Sequence, residues 1–434
     1  MGYIEHPHMN RRQFIRTTAA ASLAFPAIVR SAAPNSRISV AVIGTSRTSN
    51  GGNGRGSELA LGFAGLNDVD VVALCDVDST YLGKAIEAVS KKAAKAPRGE
   101  KDLRRLLEDK GIDAVVIATP DHWHAPAAIL ACSAGKHVYV EKPCSHNAHE
   151  GELLVAAARK HKRLVQHGTQ RRSWPGIQEA MAKLNEGAIG RVLSAKAYYF
   201  NNRPTIGKGK AAPVPSDLDW SLWQGPAPER EFHDNYLHYH WHWFWHWGTG
   251  ELGNNGVHMI DVCRWGLGTD YAHRVTSGGE KLRYDDDQET PDTNSVTFDF
   301  GGKSITWECR SWAAKSPQDP KDDVIFFGEN GSLGISGGGY TIYDPKGKEV
   351  AKGTGANGNT THLQNFIDAI RDGTKLNAEI EEGHKSTLLC HLGNIAWRTT
   401  GGLALDPATH RLKDSPAGEK LWRREYRPGW EPVV

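Results

Sequence analysis

The sequence predicts an α/β protein in two parts. A doubly wound parallel sheet comes first, and an α/β part with a large, mostly antiparallel open sheet follows. Three observations predict this. Short β-branched runs alternate with helical stretches from residue 37 to about 167. After about residue 170 that alternation gives way to short strand-like runs separated by glycine turns. And 434 residues are more than one small core organises. The expected segments are 1–33, 37–165 and 166–434.

The elements follow in order. "RISVAVIG" (37–44) is a β-branched run ending in Gly, a buried strand entering a tight turn. "SELALGFAG" is a helix, "DVVALCD" (70–76) a second strand, and "STYLGKAIEAVSKKAAK" a helix with Ser79 as its cap. "DLRRLLEDKG" is a helix stopped by Gly111, and "DAVVIATP" (113–120) a strand ended by Pro120. A helix over "WHAPAAILACSAGK", a strand at "HVYVEKP" (137–143), a helix over "AHEGELLVAAARKHK" and a strand at "RLVQHG" complete a parallel sheet wrapped on both faces. Next come a helix, "IQEAMAKLNEG", the run "RVLSAKAYYF", and a Pro-, Trp- and His-rich stretch over 201–250. A helix at 254–266 precedes the strand-like runs "SVTFDF", "SITWECR", "DVIFFG" and "YTIYD", with hairpin turns such as "ENGSLG" among them. Helices return at 361–372 and about 383–399, and "RREYRPGWEPVV" reads as an irregular tail.

Composition excludes some partners. Basic and acidic residues number 52 and 50, so nothing favours nucleic acid or anionic lipid. The six cysteines are scattered without a C-x-x-C pair, which argues against a zinc knuckle or a redox dithiol. The N-terminus, "MNRRQFIRTTAAASLAFPAIVRSAAP", has paired Arg11 and Arg12, an apolar run too short to span a bilayer, and small residues at 31–33. That order resembles a twin-arginine export signal and predicts a periplasmic or otherwise exported protein with no transmembrane span in its mature chain.

Gly44 closes the first strand, and Gly54, Arg55 and Gly56 precede the helix, with Thr45 opening the loop between. A glycine turn there lets backbone N–H groups approach a pyrophosphate at a helix N-terminus. The compact G-x-G-x-x-G is absent as such; "TSRTSNGG" lengthens the loop. Asp76 ends the second strand twenty positions after Gly56, placed to accept from ribose hydroxyls. No arginine follows at once, so a 2′-phosphate would meet two acids, and NAD is favoured over NADP.

The pieces "VAVIG…NGRGSEL", "VVIATPDHWHAPAAILACSAGKHVYVEKP", "NEGAIGRVLSAKA" and "GNNGVHMIDVCRWGLG" resemble the glucose–fructose oxidoreductase/inositol dehydrogenase/MocA (Gfo/Idh/MocA) family over about residues 37–400. The resemblance implies a Rossmann domain, a second domain with an open sheet through which copies associate as a dimer or tetramer, and a pyranose- or polyol-like substrate. It implies that Lys142 touches both the nicotinamide region and the reacting hydroxyl, and that Glu141 helps place it. Thr119, Pro120 and His124, with His122 and Trp123 between them, match a turn near the cofactor riboses. His258 matches the catalytic histidine, with Asp261 at the usual spacing. The family often carries an acid four residues before that histidine; here Asn254 stands there. An amide orients an imidazole but takes no proton, which leaves Asp261 or Lys142 to supply the missing function. Independently of any family, oxidising a secondary alcohol needs a hydride acceptor and a base, and a lysine beside a cationic ring has its ammonium form disfavoured.

"HYHWHWFWHWGTGELGNNGVH" (238–258) packs five histidines and four tryptophans into 21 positions. At period two, His238, His240, His242 and His246 share one face; as a helix, His238, His242 and His246 align. Either arrangement offers a metal site. No acid or cysteine interrupts the run, so a sugar wall of His240, His242, Trp243 and His246, joined by Arg171, ranks first, a packed loop second and a metal last. Trp220 and Trp223 are buried anchors or part of the same wall. The expected activity is an exported, NAD-dependent oxidoreductase acting on a secondary hydroxyl of a sugar or polyol with tightly bound cofactor. Redox-neutral glycoside cleavage through a transient 3-keto sugar and a non-catalytic sugar-binding protein are the rivals.

Overall fold

The computed structural model describes residues 37–45, 54–399 and 401–434. The predicted export signal and most of the glycine loop lie outside the described residues. Six strands form the first sheet: β1 (Ile38–Ile43), β2 (Val69–Cys75), β3 (Arg98–Glu100), β4 (Ala114–Ile117), β5 (His137–Val140) and β6 (Val165–His167). Their spatial order is β3-β2-β1-β4-β5-β6, and every pairing is parallel. β3 is an addition to the five predicted strands; its residues, Arg98, Gly99 and Glu100, carry no apolar signal and form an edge.

β1 and β4 are buried on both faces, which is why they read as unbroken apolar runs. The helix over Ser79–Ser90 is capped by Asp78, whose carboxylate accepts from Tyr81 N at 3.0 Å, rather than by Ser79. The helix over Asp121–Ser133 is buried along most of its length although it contains Pro126. Strand order reverses between β1 and β4, so the crevice for a ligand opens at the carboxyl ends of these strands. Gly44, Asp76, Ala118 and Glu141 are the first residues past β1, β2, β4 and β5.

The second sheet centres on β7 (Val192–Asn202), flanked by β10 (Ser304–Arg310) in parallel and by β12 (Val324–Gly328) antiparallel. β9 (Thr293–Asp299) and β8 (Arg274–Glu280) extend one side; β13 (Gly331–Ser336), β14 (Gly339–Tyr343) and β15 (Glu349–Gly353) extend the other. The short pairs β11 (Trp312–Ala313), β16 (Gly402–Leu405) and β17 (Leu412–Lys413) complete eleven strands. Alternation is strict along β10: Ile305, Trp307 and Cys309 are buried while Ser304, Thr306 and Glu308 are partly open. The buried face packs on the helices Pro175–Asn185, Val257–Leu267 and Ile380–Arg398. On the other face Leu193 and Phe327 are exposed.

All six cysteines are buried and unbridged. No helix among the described residues is long and apolar enough to cross a membrane. A short helix, Pro416–Trp422, precedes the tail, and the tail itself, 423–434, is irregular as expected, yet it is tied to the first sheet's helices, as described below.

Candidate active site

At the switch point the turn after β1 leaves no room for side chains. A Cβ on Gly44, whose φ is +87°, would stand 2.7 Å from Ala118 O, and one on Gly56 would stand 1.6 Å from Gly44 O. Gly54 caps the helix Arg55–Phe63 without a side-chain bond, and a helix N-terminus of this kind suits an anion. Asp76 lies at the end of β2, with Oδ2 accepting from Thr45 N (2.5 Å) and Thr45 Oγ1 (3.0 Å) and Oδ1 from Asp78 N (3.0 Å). Burial pushes its carboxyl up, against those hydrogen bonds. Among the described residues Thr119 Oγ1 is buried with no partner. A cradle that a Cβ would fill, an acid at the second strand's end and an orphaned hydroxyl fit an adenine dinucleotide. Arg55 turns away from a phosphate role here: its Nε donates to Glu141 Oε1 at 2.7 Å.

A cleft of about 680 Å³ runs from Gly44 and Asp76 past Thr119, Pro120 and Trp123. Its far wall is Leu218, Leu222, Trp223, His238 and Trp241. That wall is stitched to the end of β2: Ser79 N donates to Asp217 O and Asp219 N to Val77 O, both at 2.9 Å. His238 Nε2 lies 3.4 Å from Asp78 Oδ2. His122 and Trp123 hold the wall in place, His122 Nε2 at 2.9 Å and Trp123 Nε1 at 3.1 Å from Trp223 O. The C-terminal tail backs the same region. Arg424 donates to His122 O (2.7 Å) and Glu150 (2.8 Å), Arg427 N donates to Pro226 O (3.1 Å), and the Trp430 ring meets Trp123 edge-on at 5.4 Å.

Outside the lining of that cleft, at the other end of the site, stands Lys142, two residues beyond β5. Its Nζ donates to both Asn254 O and Asn254 Oδ1 at 2.9 Å. Asn254 lies in a π-helical turn, Leu252–Gly256, that opens directly into the helix Val257–Leu267 bearing His258. Such a wide turn re-aims side chains and recurs at functional sites. Burial pulls the Lys142 ammonium down; Glu141 and Asp121 oppose that and Arg55 assists it. The His258 imidazole is held well below its usual value by burial first, then by Lys142 and Arg171, and its Nδ1 is buried without a partner among the described residues. His124 braces the strand ends, with Nδ1 2.6 Å from Pro143 O and Nε2 2.8 Å from Thr119 O. Arg171 pairs loosely with Asp323 at 3.6 Å, and its Nη1 is buried without a partner among the described residues.

Several expected roles change. Asp261 is not free to act as a base: it is fully buried, its carboxylate takes Arg172 in bidentate fashion at 2.8 Å, and Ser386 Oγ donates to it at 2.7 Å. Arg172 therefore holds its carboxyl in the ionised form, below the ordinary range despite burial. The run 238–247 is neither strand nor α-helix; His240–Trp243 is a 3₁₀ turn, so the histidines fan out. His240 Nδ1 turns to Asn235 O (3.0 Å) and His246 Nε2 to Pro228 O (2.7 Å), and neither senses the Lys142 charge. His242 alone of the three does. Trp243 is buried, with the Arg203 guanidinium over its ring at 4.9 Å. Trp220 and Trp223 stack at 4.9 Å in an aromatic core with Tyr236 and Trp247, and Trp223 also faces the cleft. Among the described residues no three His, Cys, Asp or Glu side chains gather as a metal site.

Asp121 was not singled out by sequence reasoning. It is 2% exposed, accepts from Thr249 Oγ1 at 2.6 Å, and burial pushes its carboxyl up to about 7 despite Lys142 nearby. A signal existed: Asp121 directly follows the Thr119-Pro120 turn at a strand's carboxyl end, where an acid meets the ligand crevice.

Residues 38–169 match the Gfo/Idh/MocA oxidoreductase family's NAD-binding Rossmann fold, and residues 195–300 match its C-terminal alpha/beta domain; together these cover more than half the chain. A levoglucosan dehydrogenase from Pseudarthrobacter phenanthrenivorans is 30% identical over 167 residues, 38% of this chain and 36% of the relative. A glycosyl hydrolase family 109 protein from Stenotrophomonas maltophilia is 40% identical over 144 residues, 31% of this chain and 29% of the relative. The chain thus spans about a third of the length of these curated relatives. The solved structure of a levoglucosan dehydrogenase with NADH and levoglucosan superposes with a TM-score of 0.66 at 18% identity, covering 85% of this chain and 99% of that one. The chain belongs to the Gfo/Idh/MocA family of oxidoreductases, with an NAD-binding Rossmann fold over residues 38–169.

Proposed function

We propose that the protein is an exported, NAD-dependent oxidoreductase that oxidises a secondary hydroxyl of a sugar or polyol and keeps its cofactor bound. The observation that carries this is Lys142: half-buried at the carboxyl end of β5, held by Asn254 and disfavoured as an ammonium. The nicotinamide, when bound, supplies the hydride acceptor. Lys142 in its amine form takes the hydroxyl proton, and Asn254 keeps Nζ in place. His258, uncharged, offers a second hydrogen-bonding group beside it. Asp121 and Glu141 balance the positive charge that Lys142 acquires. With Asp261 committed to Arg172, proton acceptance falls to Lys142.

The expected export signal supports a location outside the cytoplasm, where no free nucleotide pool recycles a released cofactor; the enclosed adenosine end of the cleft fits retention. The partly open face of the second sheet supports association with further copies of the chain. The segment boundaries 1–33, 37–165 and 166–434 belong to the same reading.

The test is to release and identify the nucleotide from native protein, then screen sugars for a change in nicotinamide absorbance. No bound or bindable NAD, or no sugar that changes its redox state, overturns the reading. The similarity to the glycosyl hydrolase family 109 protein supports a second reading, redox-neutral cleavage of a glycoside. Release of an aryl leaving group with no net change in nicotinamide absorbance would select it.

A further inference from the structure

Tyr239 and His242 stand beside Lys142 with hydrogen-bonding capacity unspent. His242 Nδ1 is 2.6 Å from Tyr239 O. A carbonyl only accepts, so Nδ1 carries the hydrogen and Nε2 carries the lone pair. Nε2 has no partner among the described residues. The ring is 9% exposed, and burial, with the charges of Lys142 and Arg203, keeps it neutral. It is an acceptor of fixed tautomer on the lysine's side of the site.

Tyr239 is its complement. The two rings lie 4.4 Å apart between centroids. The Tyr239 hydroxyl oxygen accepts from Arg203 Nη1 at 3.0 Å and from Asn254 Nδ2 at 3.4 Å. Two donors occupy its two lone pairs, so its own hydrogen is left to donate. The same Asn254 amide holds Lys142 through Oδ1, which places the free O–H one amide away from the lysine. Arg203 is fixed from every side: it pairs with Glu251, donates to Tyr199 OH at 3.1 Å and lies over Trp243. Glu251 neutralises it, so the array recognises an uncharged group rather than a carboxylate or phosphate.

We propose that Tyr239 and His242 form a donor–acceptor pair that reads the hydroxyl next to the reacting one, which makes the substrate a vicinal diol within a sugar or polyol. Tyr239 donates to that neighbouring oxygen and His242 Nε2 accepts its hydrogen. A hydroxyl satisfies both partners. A methyl ether satisfies one and a methylene neither, leaving buried polar groups unpaired. A site that hydrogen-bonds a hydroxyl rejects the analogue lacking it far more strongly than an apolar pocket rejects a methyl group. This inference rests on the secondary-alcohol reading above.

The experiment uses the NAD-loaded full chain, a sugar that changes its nicotinamide absorbance, and that sugar's deoxy and O-methyl analogues at the neighbouring carbon. The wild-type chain should lose on the order of 10²-fold or more in kcat/KM with the deoxy sugar. Tyr239→Phe keeps the ring; His242→Asn keeps the bond to the Tyr239 carbonyl and removes the acceptor from the Nε2 position, which the shorter side chain does not reach. Each should raise KM for the parent sugar and shrink the discrimination to about tenfold or less, on the same scale. His242→Gln, which restores an acceptor, should recover part of it. Calorimetric binding of the same sugars to Lys142→Met protein gives a readout independent of turnover, and nucleotide content checks that the cofactor site is intact. Unchanged discrimination in both Tyr239→Phe and His242→Asn overturns the proposal while leaving the oxidoreductase reading standing. If no sugar alters the bound nicotinamide in the wild-type chain, the oxidoreductase reading falls and takes this proposal with it.

Discussion

The two ends of the site are built on different physics. The adenosine end is closed by backbone: Val77–Ser79 pairs with Asp217–Asp219, and the lining is apolar or aromatic on the far side. The reaction end is ruled by charge: half-buried Lys142 and Arg55 and buried Glu141 and Asp121 lie within reach of one another's fields, and Asn254 holds Lys142. Packing contributions are distributed, so single changes at the first end cost little each. Buried charges are few and unscreened, so one atom at the second end decides a great deal. Lys142→Met is the strongest way to break this contrast. It should cut turnover by about 10²–10⁴-fold, the usual contribution of a positioned base, while the nucleotide stays bound. Steady-state rates and extracted nucleotide check both halves, and turnover at the wild-type level would remove Lys142 from the chemistry.

Two buried acids sharpen the same contrast within the charged region. Asp261 is held ionised by Arg172, whereas Asp121 is pushed toward its neutral form. Asp261→Asn leaves the Arg172 guanidinium without its buried partner and should cost about 3–5 kcal/mol of stability, read by denaturant unfolding. Because the folded Asp261 carboxyl titrates below its ordinary value, its stabilisation is present above that value and is lost as pH falls through the lower one. Asp121 has the opposite sign. Its folded carboxyl, up at about 7, favours the folded state below its ordinary 3.8, and that advantage is lost as pH rises toward 7. Asp121→Asn removes this dependence, so the variant should gain stability relative to wild type between about pH 4 and 7, by at most about 4 kcal/mol. A pH-independent difference between the two melting temperatures would show that Asp121 ionises as an ordinary carboxyl does.

Much of the adenosine end was legible because its signals are local. "RISVAVIG" and "DVVALCD" are buried parallel strands, and buried parallel strands carry unbroken apolar runs. Gly44 and Asp76 then fall at the strand ends by counting. The edge strand Arg98–Glu100 escaped because an exposed edge needs no apolar residue. The reaction end was only partly legible. Lys142, Asn254 and His258 come forward from family resemblance, but what Asp261 touches depends on Arg172 and Ser386, 89 and 125 residues away. The histidine-rich run resisted both periodicities because a 3₁₀ turn has neither period two nor 3.6. Asp121 and Tyr239 gained their importance from partners, Thr249 and Arg203, that no local pattern announces.

The C-terminal tail gives the smallest expected effect and the finest test of the apolar end. Trp430 does not line the cleft, yet it packs edge-on against Trp123, which does. Trp123 in turn donates to Trp223 O, at the base of the far wall. Removing the Trp430 ring takes away one aromatic contact, worth about 1 kcal/mol beyond its area, and frees Trp123 on one side. If the tail clamps the wall, Trp430→Ala should speed nucleotide exchange by several-fold, the factor that about 1 kcal/mol produces, with the bound-state rate of sugar oxidation unaltered. Arg427→Ala, which keeps the backbone bond to Pro226 but loses the guanidinium contact to Ser221 O, should do the same more weakly. Stopped-flow displacement of bound nucleotide, followed by tryptophan fluorescence, measures both. Exchange as slow as wild type in Trp430→Ala would mean that the bridge between Val77–Ser79 and Asp217–Asp219 closes the adenosine end by itself.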